Sequence, residues 1–309
     1  MVDYSKMKEQ DMPLASVVIP SYNHEQFVQD AIKSVVNQTY PNIELIVIDD
    51  GSKDSSPQLL KELQKQYGFT LICREENKGL PATLNEGIYN YAKGEYIRAL
   101  SSDDFMPEDS IAIMINYFEN NPKKVLAFGG GYGVDADKNI IQKIEKDMKE
   151  EDINFYRLLE KNFIMATAAM YSRDAFMEVG GYDEDLLFED WSLWLKIIYK
   201  YPDGVGCLSN SHLTYYRCHG NNVSSNKEKM AQYDIQVIKK WEDYIPPLMY
   251  KKILYNKLFW HFRLITGSNK IFAKKLLRNY KFDYISASIV KDFFIGFGKI
   301  LFYNNKSSL

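Results

Sequence analysis

Acidic pairs stand at three places where apolar and polar sequence meet: Asp49-Asp50 in IVIDDGSKD, Asp103-Asp104 in ALSSDDFM, and Glu189-Asp190 in FEDWSLWLKI. Side-by-side carboxylates repel unless positive charge lies between them. A divalent cation carrying phosphates would supply that charge; a solvated surface turn would remove the need for it. Successive residues on an extended segment point opposite ways, so Asp103 and Asp104 can serve different partners. A hard cation such as Mg²⁺ or Mn²⁺, with few protein ligands and several phosphate oxygens, suits such a carboxylate. The Asp49-Asp50 pair can accept the N–H of a pyrimidine ring, or can start a turn, since Asp-Gly is turn chemistry.

The third pair sits differently. In a helix over residues 188–200, positions 190, 193, 194 and 197 share one face. Asp190 then heads a stripe of Leu193, Trp194 and Ile197. A carboxylate beside apolar groups holds its proton more tightly and can serve as a general base; the helix dipole alone also favours a first-turn acid. Glu189 lies about 100° round the helix and need not share that environment. Tyr22 in VVIPSYN can stack on a base, and Asn23 can equally cap the helix that follows. His219, in YRCHGNN beside Arg217, can ligate a metal, touch a diphosphate or be an ordinary loop histidine. His24, His212 and His261 join no constellation and are read as structural or exposed.

The elements that must position these residues follow from periodicity. Short β-branched runs at 15–20, 43–49, 69–73, 95–100 and 124–128 alternate with helical patterns at 25–37, 56–67, 81–92 and 107–120. Such alternation implies βαβ crossovers and a mostly parallel sheet. Runs such as VVI and LIVI are apolar on both faces, as a sheet covered on two sides requires. Ligands in such sheets bind at the carboxyl ends of the strands, where SYN, DDGSKDSS and SSDD fall. Pro20 ends the first ladder. Residues 135–163 read as a charged, helical excursion over the site and 164–171 as a buried strand. Gly180-Gly181 reads as a tight turn, 213–226 as a strand leaving into a polar loop, and everything after about 227 as helical.

With 309 residues, 46% hydrophobic and 26% charged, the chain suits one large domain with an extension, or two domains. A net charge of -3 gives no global attraction to nucleic acid. Cys73, Cys207 and Cys218 are too scattered for a disulfide framework and fit reduced thiols in a cytoplasmic protein. The polar N-terminus lacks the apolar segment of a signal peptide, and no uncharged apolar run reaches the ~18 residues of a membrane span. Charge is uneven: residues 239–309 carry 14 Lys/Arg and 4 Asp/Glu, a local +10 against -13 elsewhere. This basic, aromatic tail is expected either to meet an anionic membrane surface, near a lipid-linked acceptor at the inner face of the cell membrane, or to cap the body or a second subunit of a homo-oligomer.

Seven segments in order, VVIPSYN, QTYPNIELIVIDDGSKD, ENKGLPATLNEG, AKGEYI, SSDD, GGYDEDLLFEDWSLWLK and YRCHGNN, resemble glycosyltransferase family 2 on a GT-A fold. The resemblance spans roughly residues 14–226. It implies an α/β, Rossmann-like, mostly parallel mixed sheet flanked by helices, with a nucleotide-sugar half (about 14–130), an acceptor half (131–226) and a helical C-terminal region (227–309). It implies metal-dependent, inverting transfer of a sugar from a nucleotide donor, UDP by preference, to a hydroxyl of a glycan or lipid-linked acceptor. Residue by residue, it gives Pro20, Tyr22, Asn23, Asp50, Asn77 and Gly79 to the nucleotide and Asp103 to the ribose. It gives Asp104 and His219 to Mn²⁺ or Mg²⁺, Asp190 to the catalytic base, and Glu189 to orienting the acceptor or that base. Two positions depart from the pattern: Ser101 stands where the metal loop often has an acid, and Leu84 precedes Asn85 where many members have arginine.

Two other readings compete. A nucleotidyltransferase would share the sheet, but no Gly-rich N-terminal loop with a basic residue is present. A nucleotide-sugar-binding module without turnover is compatible with Ser101 and Leu84, and Asp190 argues against it. A dinucleotide oxidoreductase is disfavoured because no GxGxxG follows a strand.

Overall fold

The computed structural model describes residues 12–186, 189–220, 222, 226–265 and 269. The β-branched runs form the parallel strands β1 (Ala15–Ser21), β2 (Ile43–Asp49), β3 (Thr70–Cys73) and β4 (Tyr96–Ala99). Between them run α1 (Val28–Val36), α2 (Ser56–Tyr67) and α3 (Leu80–Glu86), the last passing into a π turn at Gly87–Tyr91; α4 (Ser110–Asn120) follows β4. Val17, Val18, Ile19, Val47 and Ile48 are fully buried, so both faces of the sheet are covered. Each such side chain contributes about 1.5–3 kcal/mol of burial.

The sheet continues through β5 (Leu126–Val134), β6 (Ile140–Ile144), β7 (Ala169–Ser172) and β8 (Val205–Arg217). Its order is β3-β2-β1-β4-β7-β5-β6, with β8 beside β5. β7 is antiparallel to both its neighbours, β4 and β5. The two halves anticipated from the sequence therefore share one sheet, because a strand of the second lies between two strands of the first.

Residues 135–163 are not mainly helical. The Asp135 carboxylate accepts the N–H groups of Asp137 (3.0 Å) and Asn139 (2.8 Å), and Lys138 adopts φ 70°. This tight turn sends the chain back as β6, antiparallel to β5. Ile140 and Ile141 on β6 stay exposed, so the apolar pattern did not report a strand there. Helix in this interval is confined to a 3₁₀ turn at Glu150–Asp152 and α5 (Phe155–Glu160), which is capped by the Asn154 side chain. Beyond β7 come α6 (Arg173–Glu178) and α7 (Asp190–Lys200).

Arg98 on β4 is fully buried and meets no carboxylate among the described residues. Its guanidinium donates to Ser110 Oγ (2.9 Å), the Thr167 carbonyl (2.8 Å) and the Leu213 carbonyl (2.5 Å).

The chain divides into two compact units, Met1–His219 and Gly220–Leu309. The second contains α8 (Lys227–Lys239) and α9 (Pro247–Ile265); within it Asp234 meets His261 at 2.9 Å and Lys257 at 3.3 Å. The helical expectation for residues 270–309 lies outside the described residues. No helix among the described residues is long and apolar enough to cross a membrane.

Candidate active site

The first acidic pair closes the end of β2. Asp49 accepts the N–H (3.0 Å) and hydroxyl (2.6 Å) of Ser52, which makes it a turn former. Asp50, 3% exposed, accepts from Arg74 Nη1 (2.7 Å) and the Lys78 N–H (2.9 Å) on one oxygen, and from the Gly79 N–H (2.9 Å) on the other. Arg74 also donates to Thr83 Oγ1 (2.8 Å) and Glu86 (2.5 Å) on α3. Asn77 Oδ1 accepts from Gly79 at 3.0 Å. Gly51, at φ +76°, lets the 76–77 backbone approach, since a Cβ there would sit 2.8 Å from the Glu76 carbonyl carbon. Asp50 thus braces the loop carrying Asn77 and Gly79, with about one of a carboxylate's four lone pairs left over. Asn23 does not cap α1. At φ 54° its N–H donates to the Ser52 hydroxyl oxygen, and its side-chain oxygen accepts the Lys53 N–H. Tyr22 beside it is 43% exposed, and Pro20 is half-buried on β1.

The SSDD segment is a turn in which the Asp104 N–H donates to the Ser101 carbonyl at 3.1 Å. Its side chains alternate, and the two aspartates part. Asp104 is 1% exposed and faces inward, accepting the Arg217 N–H at 2.8 Å and a hydrogen bond from Thr167. Burial first, and Asp103 second, push its carboxyl well above the ordinary range. Asp103 faces outward, with Oδ2 3.0 Å from His219 Nε2. Arg217 anchors this corner, donating to the Asp103 carbonyl (2.8 Å), the Ala136 carbonyl (2.6 Å) and Asp30 (2.9 Å), with Phe27 and Phe105 stacked against it. His219 stacks on Phe27 at 4.9 Å. His24, which its loop position alone did not single out, belongs here: its Nδ1 lies 2.7 Å from Ser102 Oγ and its ring edge meets His219 at 6.2 Å. Burial lowers its basicity, while Asp103 pulls the other way.

The third pair stands at the head of α7, where Trp191, Leu193, Trp194 and Ile197 are buried. Asn162 Nδ2 donates to Asp190 Oδ2 at 2.9 Å. Burial, and then Asp190, push the Glu189 carboxyl up to about 8. Beside the pair, the buried Tyr171 and Tyr182 hydroxyls lie 2.7 Å apart. Asn85 on α3 reaches into this region, donating to the Tyr182 carbonyl (3.0 Å) and Glu184 (2.8 Å) and accepting the Tyr182 N–H (2.9 Å). Leu84, the residue that departs from the family pattern, faces the core at 1% exposure.

The structure therefore joins Asp50 to Asn77 and Gly79, Asp103 to His219, and Glu189 to Asp190, and it turns Asp104 away from His219. The residues that do the joining, Arg74, Asn85, Asn162 and Arg217, carry no periodic signal. Their partners are 24 to 113 residues distant for Arg74–Asp50, Asn85–Tyr182, Asn162–Asp190 and Arg217–Asp104.

Residues 16–180 match the family described as Glycosyl transferase family 2. The chain is 30% identical over 233 residues to an uncharacterized glycosyltransferase of Haemophilus influenzae, covering 75% of this chain and 90% of that one. It is 30% identical over 197 residues to a poly-β-1,6-N-acetyl-D-glucosamine synthase of Staphylococcus epidermidis, and this match spans 62% of the chain and 47% of the relative. Among solved structures, S. aureus TarS 1-349 in complex with UDP-GlcNAc superposes with TM-score 0.66 at 17% identity, over 86% of this chain and 79% of that one. The mannosyltransferase PcManGT from Pyrobaculum calidifontis, in complex with GDP-Man and Mn²⁺, superposes with TM-score 0.60 at 16% identity, over 96% and 91%. The mixed sheet with flanking helices is that of the GT-A glycosyltransferases. On the matched residues and the relatives, the chain belongs to glycosyl transferase family 2.

Proposed function

We propose that this protein moves N-acetylglucosamine from a uridine diphosphate donor to a hydroxyl of a glycan or lipid-linked acceptor, in one inverting displacement with Asp190 as base. The observation that carries the reading is α3. Through Thr83 and Glu86 it is tied to the Arg74–Asp50 pair at the nucleotide side, and through Asn85 it is tied to Tyr182 beside Glu189 and Asp190. One short helix holds both ends of the reaction in register, as in-line attack requires. The acidic pair divides its labour. Two adjacent carboxyls cannot both ionise cheaply. Burial favours the proton on Glu189, and Asn162 holds the Asp190 carboxylate in place as the group that would receive the acceptor's proton. Tyr22 offers an exposed ring to the base, and Asp50 shapes the Asn77–Gly79 loop. The UDP-GlcNAc in the TarS complex and the name of the N-acetylglucosamine polymer synthase support the choice of donor.

The residues present fit a divalent cation. Among the described residues no three His, Cys, Asp or Glu groups gather tightly enough to hold a metal by themselves. Asp103 and His219 offer one oxygen and one nitrogen, and Mg²⁺ or Mn²⁺ readily completes its shell with phosphate oxygens and water. When bound, the cation neutralises charge building on the leaving diphosphate. Asp103 and His219 would hold it; Asp104, the ligand expected from sequence, is committed to Arg217 and Thr167. The Mn²⁺ in the PcManGT complex supports a metal in this role.

Unfolding would be followed with UDP, UDP-GlcNAc and GDP-Man, in Mn²⁺ or EDTA. A ligand at ~100 times its Kd adds about 2.7 kcal/mol. Asp190→Asn should keep that gain and lower transfer by about 10²–10⁴. Stabilisation by no nucleotide sinks the reading, stabilisation indifferent to EDTA removes the metal, and donor binding without UDP release leaves a binding module. We further propose that the second unit meets an anionic lipid surface at the cytoplasmic face. Exposed Tyr244 (60%), Leu248 (65%) and Trp260 (41%) support this, together with Lys251 and Lys252. Failure to sediment with anionic liposomes at low salt would remove it.

A further inference from the structure

A cavity of about 740 Å³ opens on the first unit, walled by Phe105, Tyr215 and Ile140 and rimmed by Thr39, Glu108 and Asp109. Its volume lies in the range of ligand pockets, about 300–1,000 Å³. None of the residues assigned above to donor, metal or base lines it. We propose that it is a second, non-catalytic saccharide subsite, which holds a neutral stretch of the acceptor chain while the chain's end reacts elsewhere. This rests on the reading of the protein as a glycan-extending transferase.

The lining selects the ligand's chemistry. Glu108 and Asp109 are exposed, and neither carboxylate engages another side chain among the described residues. The hydroxyls of Thr39 and Tyr215 are likewise uncommitted there. Lys138, the cation of the lining, is paired with Asp30 at 2.6 Å and leans over the Phe105 ring at 5.9 Å. Two free carboxylates beside a neutralised lysine repel phosphates and nucleotides but accept hydroxyl protons in charge-assisted hydrogen bonds. The buried Met106, the half-buried Phe105 and Pro107 and the exposed Ile140 supply apolar surface between these groups. A sugar chain presents that alternation: hydroxyls around each ring, C–H groups on its faces.

The cavity is also preformed. Phe105 and Tyr215 exchange backbone hydrogen bonds (3.2 and 2.8 Å), and their rings stack at 4.6 Å. Tyr215 stacks in turn on Tyr132 (5.7 Å), and Tyr132 on His212 (4.5 Å). On the rim, the Thr39 N–H donates to the Glu108 carbonyl at 2.7 Å, and Gln38 Nε2 to the Pro107 carbonyl at 2.6 Å. A wall this fixed loses little freedom on binding. Phe105 also packs against Arg217, whose Nε donates to the Asp103 carbonyl. The subsite thus shares a wall with the metal loop without sharing its ligands.

The test uses the full chain without nucleotide or metal, titrated calorimetrically with four probes: the β-1,6-linked N-acetylglucosamine hexamer, chitohexaose, cellohexaose and maltohexaose. At least one should bind. The double variant Glu108→Ala, Asp109→Ala should weaken it about tenfold, and Tyr215→Phe, which keeps the stacked ring, should weaken it less, while stabilisation by UDP-GlcNAc stays unchanged in both. Binding of none of the four overturns the proposal, as does binding at wild-type strength in the double variant. Saccharide binding with no response to any nucleotide would sink the transferase reading and uphold the subsite.

Discussion

Replacing Glu189 by glutamine tests the division of charge at the base. The carboxyl stands at about 8 in the folded protein, against an ordinary 4.5. Between those values the folded state keeps a proton that the unfolded chain has released, so stability falls as pH rises through this window and levels off above it. At 1.36 kcal/mol per pH unit the ceiling is about 5 kcal/mol. Glu189 is half-buried and shares its charge environment with Asp190, so a loss of about 2 kcal/mol is the working value. Glutamine imitates the protonated acid and cannot ionise. Glu189→Gln should therefore match wild type near pH 5 and exceed it by about 2 kcal/mol near pH 8.5, measured by urea unfolding. Equal differences at both pH values would refute the reasoning, and a variant less stable at high pH would reverse it.

Asp103→Asn should abolish Mn²⁺-dependent stabilisation by UDP-GlcNAc, whereas Asp104→Asn, which still offers an oxygen to the Arg217 N–H, should retain it; the opposite pattern in a thermal-shift assay returns the metal to Asp104. Arg74→Met leaves Asp50 and Glu86 without their cation and should cost about 3–5 kcal/mol of unfolding free energy by urea titration, Asp50 being a carboxylate with nowhere to solvate. Gly130→Ala places a methyl against the Ile144 carbonyl oxygen and should destabilise by about 1–3 kcal/mol, with faster amide exchange along β6 in deuterium labelling.

Most of the sheet was legible because its strands obey a local rule. The run at 43–49 is β2 to the residue, and the helix at 56–67 is α2, because apolar periodicity and burial coincide there. β6 broke the rule: an edge strand with Ile140 and Ile141 facing outward has a side-chain pattern unrelated to burial, and Asp135 and Lys138 make its turn. At the site, strand-end position marked Asp50 and Asp103, and the apolar stripe of a helix marked Asp190 with Glu189 beside it. Position could not say that Asp104 would turn inward, since that depends on Arg217, 113 residues away. His24 was illegible for the same reason; its partner Ser102 is 78 residues distant.

Arg98 constrains the order in which the molecule can be made. Its carbonyl partners are 69 and 115 residues further along the chain. At a synthesis rate of about 5–20 residues per second, Leu213 follows it by roughly 6–23 s. Until then β4 carries, at Arg98, a cation that stays hydrated rather than enter a dry interior. The nascent β1–β4 segment must wait, half-assembled, for β8 to leave the ribosome. The SSDD turn follows β4 directly and needs the Arg217 N–H, so it takes shape in the same late event. The proposed donor corner thus gains its Asp104–Arg217 hydrogen bond only once β8 has been made.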